Sequence, residues 1–400
     1  MAELGPITCA GCGLLCDDVV FDPTDSAIRL RPRCDLGAEW FSQRVHGQAN
    51  APAATIRGQA VDVEAALARA GDLLRGARRP LIHGFDGATV EDARAAVALA
   101  DRLGALVLSG HGTDTWPGAP AVPLRGASTA TIGEIRDRSR VVVIWREDPE
   151  TSHPRLLERL GLAGGASDRT LVVVDDRDTA TARRADGRLR WARDHDLDAL
   201  TSLHVLQKGL ALRPGELAAE LGGLIERLGA VPHAAFVYGR GLTGGAGGQR
   251  RALALHELVR ALCHGRHVVT LELPVAAGTR SADDALSWQT GYAGAVDLAS
   301  GHPELVTATR PVAAGEAVDV SLRIEAAPAE LPDGVTEIAL GSLPADPGVE
   351  VSIRTAPAGV AAAGTAHRLD GVPLALQVPL PGEAPTAAAL LARLLDEVGR

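Results

Sequence analysis

Four cysteines carry the clearest chemical signal in the sequence. Cys9, Cys12 and Cys16 fall within eight residues, and seventeen residues separate Cys16 from Cys34. The pattern is C-x2-C-x3-C-x17-C, in a chain with only five cysteines among 400 residues. One tight turn can point the first three sulfurs at a single place while the fourth closes the shell. In a chain that reads as cytoplasmic, such clustering favours metal ligation over disulfides. Four thiolates suit a [4Fe–4S] cluster or a tetrahedral zinc ion; a reduced, empty thiol nest is the third reading. The spacing is neither the C-x2-C-x2-C of bacterial ferredoxins nor the paired C-x2-C of zinc ribbons. Cys263, alone on a helical stretch, reads as a core thiol.

Other spacings offer weaker chemistry. Gly239-Arg-Gly241-Leu-Thr-Gly244 follows an apolar run and precedes a helical one, the arrangement of a loop that cradles a pyrophosphate. Against it, glycine is abundant (45 residues), and Glu272 lies 28 residues past Gly244, where a ribose-binding acid stands nearer 20 residues on. A strand-to-helix turn packed against another domain is the simpler reading. His46, His83, His111, His153 and His367 sit beside glycines, prolines or strand ends, but no HxH or HExxH spacing joins them into a metal site. Ser109-Gly110-His111-Gly112 with Asp114 hints at a hydrolase, yet there is no G-x-S-x-G elbow.

Apolar runs at Pro80–His83, Ala105–Leu108, Val141–Trp145, Leu171–Asp175, Ala234–Tyr238, Val268–Leu273, Ile338–Leu340 and Val351–Ile353 predict strands. Amphipathic stretches such as Val63–Leu74 and Val90–Leu103 lie between them. The alternation predicts parallel sheets with helices on both faces. Eight strands exceed one such sheet, so the expectation is two α/β domains behind a small N-terminal lobe. The boundaries read as a Cys-rich lobe over 1–54, a discontinuous first domain over 55–125 plus 310–400, and a second over 126–309. Pro-rich Trp116–Pro123 and Glu325–Pro332 serve as crossings. Net charge is −10, with no run of basic residues, which argues against nucleic acid as a partner. Of the 40 basic residues all but Lys208 are arginine, a bias of GC-rich codons rather than of function. No apolar run approaches the ~20 residues of a membrane helix, and the N-terminus has no secretory pattern. The expected location is the cytoplasm, with no membrane partner.

Thr8-Cys-Ala-Gly-Cys-Gly-Leu-Leu-Cys-Asp-Asp18 resembles the N-terminal motif of the B-type subunit of formylmethanofuran dehydrogenase, in the molybdopterin oxidoreductase superfamily. The similarity continues through Ile144–Pro149 with Ser152–Arg155, Val174–Thr179, Gly239–Thr243, Ser287–Tyr292 with Ala295–Asp297, and Gly364–Pro373. It implies a molybdopterin-oxidoreductase-like α/β fold of two Rossmann-like domains plus the Cys-bearing lobe, lacking the C-terminal β-barrel domain. It also marks Cys9, Cys12, Cys16 and Cys34 as the family's metal-site positions. The departures fall where the family works. A Cys-His-Gly-type loop there supplies the ligand of the pterin-bound molybdenum or tungsten, and the ligand position here is Gly110, beside His111. A Gly-Cys-Asn-Pro-like loop near the pterin reads Arg146-Glu147-Asp-Pro149. No molybdopterin or tungstopterin is therefore expected, and the four cysteines hold a cluster, a structural zinc or nothing. A chain with these losses is similar to the B-like subunit of the bacterial formyltransferase/hydrolase complex of methylotrophs. That complex passes formyl from formyl-tetrahydromethanopterin to a methanofuran-type carrier and hydrolyses it to formate. The implied role is a non-catalytic structural subunit, alongside the hydrolase (A), transferase (D) and C subunits. The alternative is a redox-active subunit that holds a pterin metal through an oxygen ligand, Ser109 or Asp114.

Overall fold

The computed structural model describes residues 4–23, 28–46, 52–110, 121–164, 168–306, 317–328, 331–344 and 348–399. The chain divides into two compact units. The first comprises Met1–Thr115, Val275–Arg368 and Pro373–Arg400, and the second Trp116–Pro274 with Leu369–Val372.

In the first unit a nine-stranded sheet runs in the order Glu304–Leu305, Ala295–Asp297, Leu106–Leu108, Pro80–Gly84, Val320–Ile324, Thr336–Gly341, Val351–Arg354, Ala54–Ile56, Gln59–Val61. The five strands from Leu106–Leu108 to Val351–Arg354 are parallel, and the two edges are antiparallel. Central strands bury both faces, which is why they read as unbroken apolar runs. Three helices cover the sheet's apolar residues: Val63–Gly76, Val90–Leu103 and Ala387–Gly399. Asp62 caps the first by accepting from the Ala65 N–H at 2.6 Å. The second begins with a reciprocal Thr89–Asp92 capping box, and Gly104 ends it at φ +62°, a conformation glycine adopts without strain. Asp92 also accepts from the Ala388 N–H at 2.7 Å, so one carboxylate starts one helix and ties down another. Leu390, Leu391 and Leu394 of that last helix are fully buried, and full burial of such a side chain stabilises by roughly 1.5–3 kcal/mol.

The second unit holds five parallel strands in the order His267–Glu272, His233–Tyr238, Val141–Trp145, Thr170–Val174, Gly187–Leu189. Helices Asp196–Gln207, Glu216–Gly229 and Gly248–Leu262 supply much of its core. The Trp145 and Trp191 rings meet edge to face at 5.7 Å.

All eight predicted strands are present, within two residues of their expected ends. The chain leaves the first unit where the Pro-rich Trp116 segment begins, but it returns at Val275 rather than at 310. The reason is pairing: Ala295–Asp297 joins Leu106–Leu108 as an antiparallel neighbour, and Thr279–Thr290 packs on Val90–Leu103. Glu325–Pro332 is accordingly no crossing between units. Among the described residues no helix is long and apolar enough to cross a membrane.

Candidate functional site

The three N-terminal cysteines sit on one tight turn. The Cys9 N–H donates to the Cys16 carbonyl at 2.8 Å and the Leu15 N–H to the Cys12 carbonyl at 3.2 Å. Cys34 immediately precedes helix Asp35–His46, whose N-terminal turn faces the same sulfurs. A Cβ on Gly37 would meet Leu30 at 2.7 Å, Cys9 Sγ at 3.2 Å and Cys34 Sγ at 3.6 Å, so only glycine lets that turn come so close. The Gly11 N–H donates to Cys9 Sγ and the Gly37 N–H to Cys34 Sγ, both at 3.4 Å. Burial dominates the titration: it raises the Cys9 thiol strongly and pushes the Cys12 thiol up to about 12, with smaller contributions from the neighbouring sulfurs. Without a cation these thiols stay protonated at neutral pH. The structure thus brings Cys9, Cys12, Cys16 and Cys34 into one neighbourhood. Among the described residues no three His, Cys, Asp or Glu side chains stand as a metal-holding group. The donor set suits a soft cation, whereas the arrangement is not a coordination shell.

Beside the thiols, Arg44 lays its guanidinium over the Trp40 ring at 4.4 Å. Burial lowers the Arg44 pKa, against the opposing charges of Glu325 and Asp86. Glu325 itself is buried at the end of strand Val320–Ile324, where burial pushes its carboxyl up to about 7, and it accepts from the Ser342 N–H at 3.1 Å and from the Thr355 hydroxyl.

Gly110 follows Ser109 after strand Leu106–Leu108, and among the described residues a Cβ there would meet nothing within 4 Å. Glycine brings no side chain that could ligate a metal. Ser109 next to it is fully buried and committed elsewhere. Its Oγ lies 2.6 Å from Asp283 Oδ1 and 3.1 Å from the Gly294 carbonyl, and its N–H donates to that carbonyl at 2.9 Å. Ser109 is therefore no open oxygen ligand. Burial pushes the Asp283 carboxyl up to about 7, against the opposing Ser109 and Gly294 hydrogen bonds. His111 and Asp114 lie outside the described residues.

In the second unit Arg146 follows strand Val141–Trp145 at φ +57°. Its guanidinium is buried and fully engaged. Nε and Nη2 donate to the Asp196 carboxylate at about 3 Å, Nη1 to Asp176 at 2.8 Å and Nη2 to the Trp191 carbonyl at 2.6 Å. The Trp191 indole N–H donates to the same Asp196 at 2.8 Å. Glu147 turns the other way and accepts from the Gly241 N–H at 2.7 Å. Burial raises the Glu147 carboxyl to about 7, opposed by that hydrogen bond and the Arg177 and Arg193 charges. The G-x-G-x-x-G turn is thereby spoken for by the chain's own side chain. Glu272, the imagined ribose ligand, accepts from the Tyr238 hydroxyl at 3.2 Å.

Among the described residues the histidines do not assemble into a metal-holding group. His153 is buried, and burial drives it down to about 4. His367 Nδ1 pairs with Asp284 Oδ2 at 2.6 Å and its ring meets the edge of exposed Trp288 at 5.5 Å. The Cys263 thiol donates to the Val268 carbonyl at 3.3 Å, a packing role. Asp196, Trp191 and Asp283 escaped the sequence reading, because each acts on a partner through long-range packing that no local spacing announces.

No family model matches the chain. It is 30% identical over 292 residues, 70% of this chain and 76% of the relative, to the B-type subunit of the formyltransferase/hydrolase complex Fhc of Methylorubrum extorquens. It is 28% identical to the B-type subunit of a tungsten-containing formylmethanofuran dehydrogenase 2 of Methanocaldococcus jannaschii, across 93% of this chain and 92% of that one. Among solved structures it is similar to a chain of the formyltransferase/hydrolase complex FhcABCD from Methylorubrum extorquens, crystallised with methylofuran. The TM-score is 0.69 at 27% identity, covering 86% of this chain and 98% of that one. Acetylene hydratase from Pelobacter acetylenicus shares the fold alone, with a TM-score of 0.58 at 11% identity over 98% of this chain and 69% of the other.

Proposed function

The chain belongs to the family of B-type subunits that includes the one in Fhc and its formylmethanofuran dehydrogenase homologues, and on that premise we propose that it is the non-catalytic, structural B-type subunit of a formyltransferase/hydrolase complex. In this reading other subunits move formyl from formyl-tetrahydromethanopterin to a methanofuran-type carrier and hydrolyse it to formate. This chain holds them together in the cytoplasm. The observation that carries the reading is Gly110: at the position resembling the family's metal ligand, glycine offers no donor atom. Ser109, the adjacent residue, is sealed against Asp283 and Gly294, which disfavours a redox subunit with a Ser109 ligand. Arg146 and Glu147 fill the second pterin loop with charges bound to the protein itself.

The residues at the pterin loops do not fit a molybdopterin or tungstopterin. Cys9, Cys12, Cys16 and Cys34 are assigned structural duty in the N-terminal segment, either as a thiol nest or around a zinc ion or iron–sulfur cluster that draws the sulfurs together. A cation bound there would stabilise the segment, since structural zinc contributes about 10–16 kcal/mol in small peptide domains. The test is Cys12→Ser in the co-expressed complex. It should lower the yield of assembled complex while formyl transfer and hydrolysis per assembled complex stay near wild type. A large loss of turnover in intact complex would refute the structural assignment.

A further inference from the structure

No further inference is drawn: the strongest candidate, the cavity of about 550 Å³ in the first unit between Val20–Asp22 and Ile28–Asp35, is bordered by exposed arginines of which Arg33 is already paired with Asp35, and nothing among the described residues shows what covers it.

Discussion

Gly110 and Gly241 both lie in loops after strands, yet they demand opposite outcomes from the same substitution. A methyl on Gly241 would collide with the Arg146 carbonyl, whereas one on Gly110 meets none of the described residues. Gly241→Ala should therefore cost about 3 kcal/mol of unfolding free energy. Gly110→Ala should stay within about 0.5 kcal/mol; paired urea titrations check both. Arg146 poses a different problem, because Asp196 is fully buried and relies on it. Arg146→Ala should destabilise by about 3–5 kcal/mol by stranding that charge. Adding Asp196→Asn should recover part of the loss in a double-mutant cycle. Asp283 makes stability depend on pH. An unfolded aspartate ionises near pH ~3.9, while burial holds this one to about 7. The folded chain then keeps a proton that the unfolded chain releases between those values. Its contribution is whole below the lower value and lost as pH rises through the upper one. Asp283→Asn should flatten the fall in urea midpoint between pH 5 and pH 8, and an unchanged slope would exclude Asp283 as its source.

At the scale of elements, the helix Val90–Leu103 shows how one short polar motif organises a layer. Asp92 closes the capping box with Thr89 and holds the Ala388 N–H. Asp92→Ala should cost about 1–2 kcal/mol and loosen the C-terminal helix, visible as faster amide exchange across Leu390–Leu394. The parallel strands were legible because burial on both faces leaves unbroken apolar runs such as Val141–Trp145. Strand Val320–Ile324, central to the larger sheet, was not. Ser321 and Arg323 interrupt its apolar pattern, although both are buried. The structure resolves that conflict across the sheet, where Arg323 pairs with Glu337 of the next strand at 2.5 Å. A pairing between residues 14 apart on parallel strands leaves no periodic trace. The same limit governs the site. Gly110, Arg146 and Glu147 were visible as departures from a family pattern, while the groups that lock Ser109, Arg146 and Glu147 are distant in sequence: Asp283, Asp196, Trp191 and Gly241. The return of the chain at Val275 was hidden for a related reason, since strand Ala295–Asp297 has only three residues and gains its meaning from Leu106–Leu108.

On the proposed reading, the fold is kept while its pterin chemistry is given up. The four cysteines are gathered at one place, Gly110 stands where the resemblance puts a ligand, and Glu147 holds the Gly241 N–H. A subunit retained for assembly should depend on its partners, because permanent interfaces commonly bury 2,000 Å² or more. Expressed alone, the chain should aggregate, and co-expression with hydrolase and transferase subunits should return it to solution. A monodisperse, monomeric chain whose Tm is unchanged on mixing would contradict obligate assembly. The loss of pterin-metal chemistry is tested most directly by the molybdenum and tungsten content of the co-expressed complex, purified without oxygen and assayed for formyl transfer in the same preparation. The expected result is an active complex with neither metal in stoichiometric amount; either metal at near one per chain would contradict the structural role.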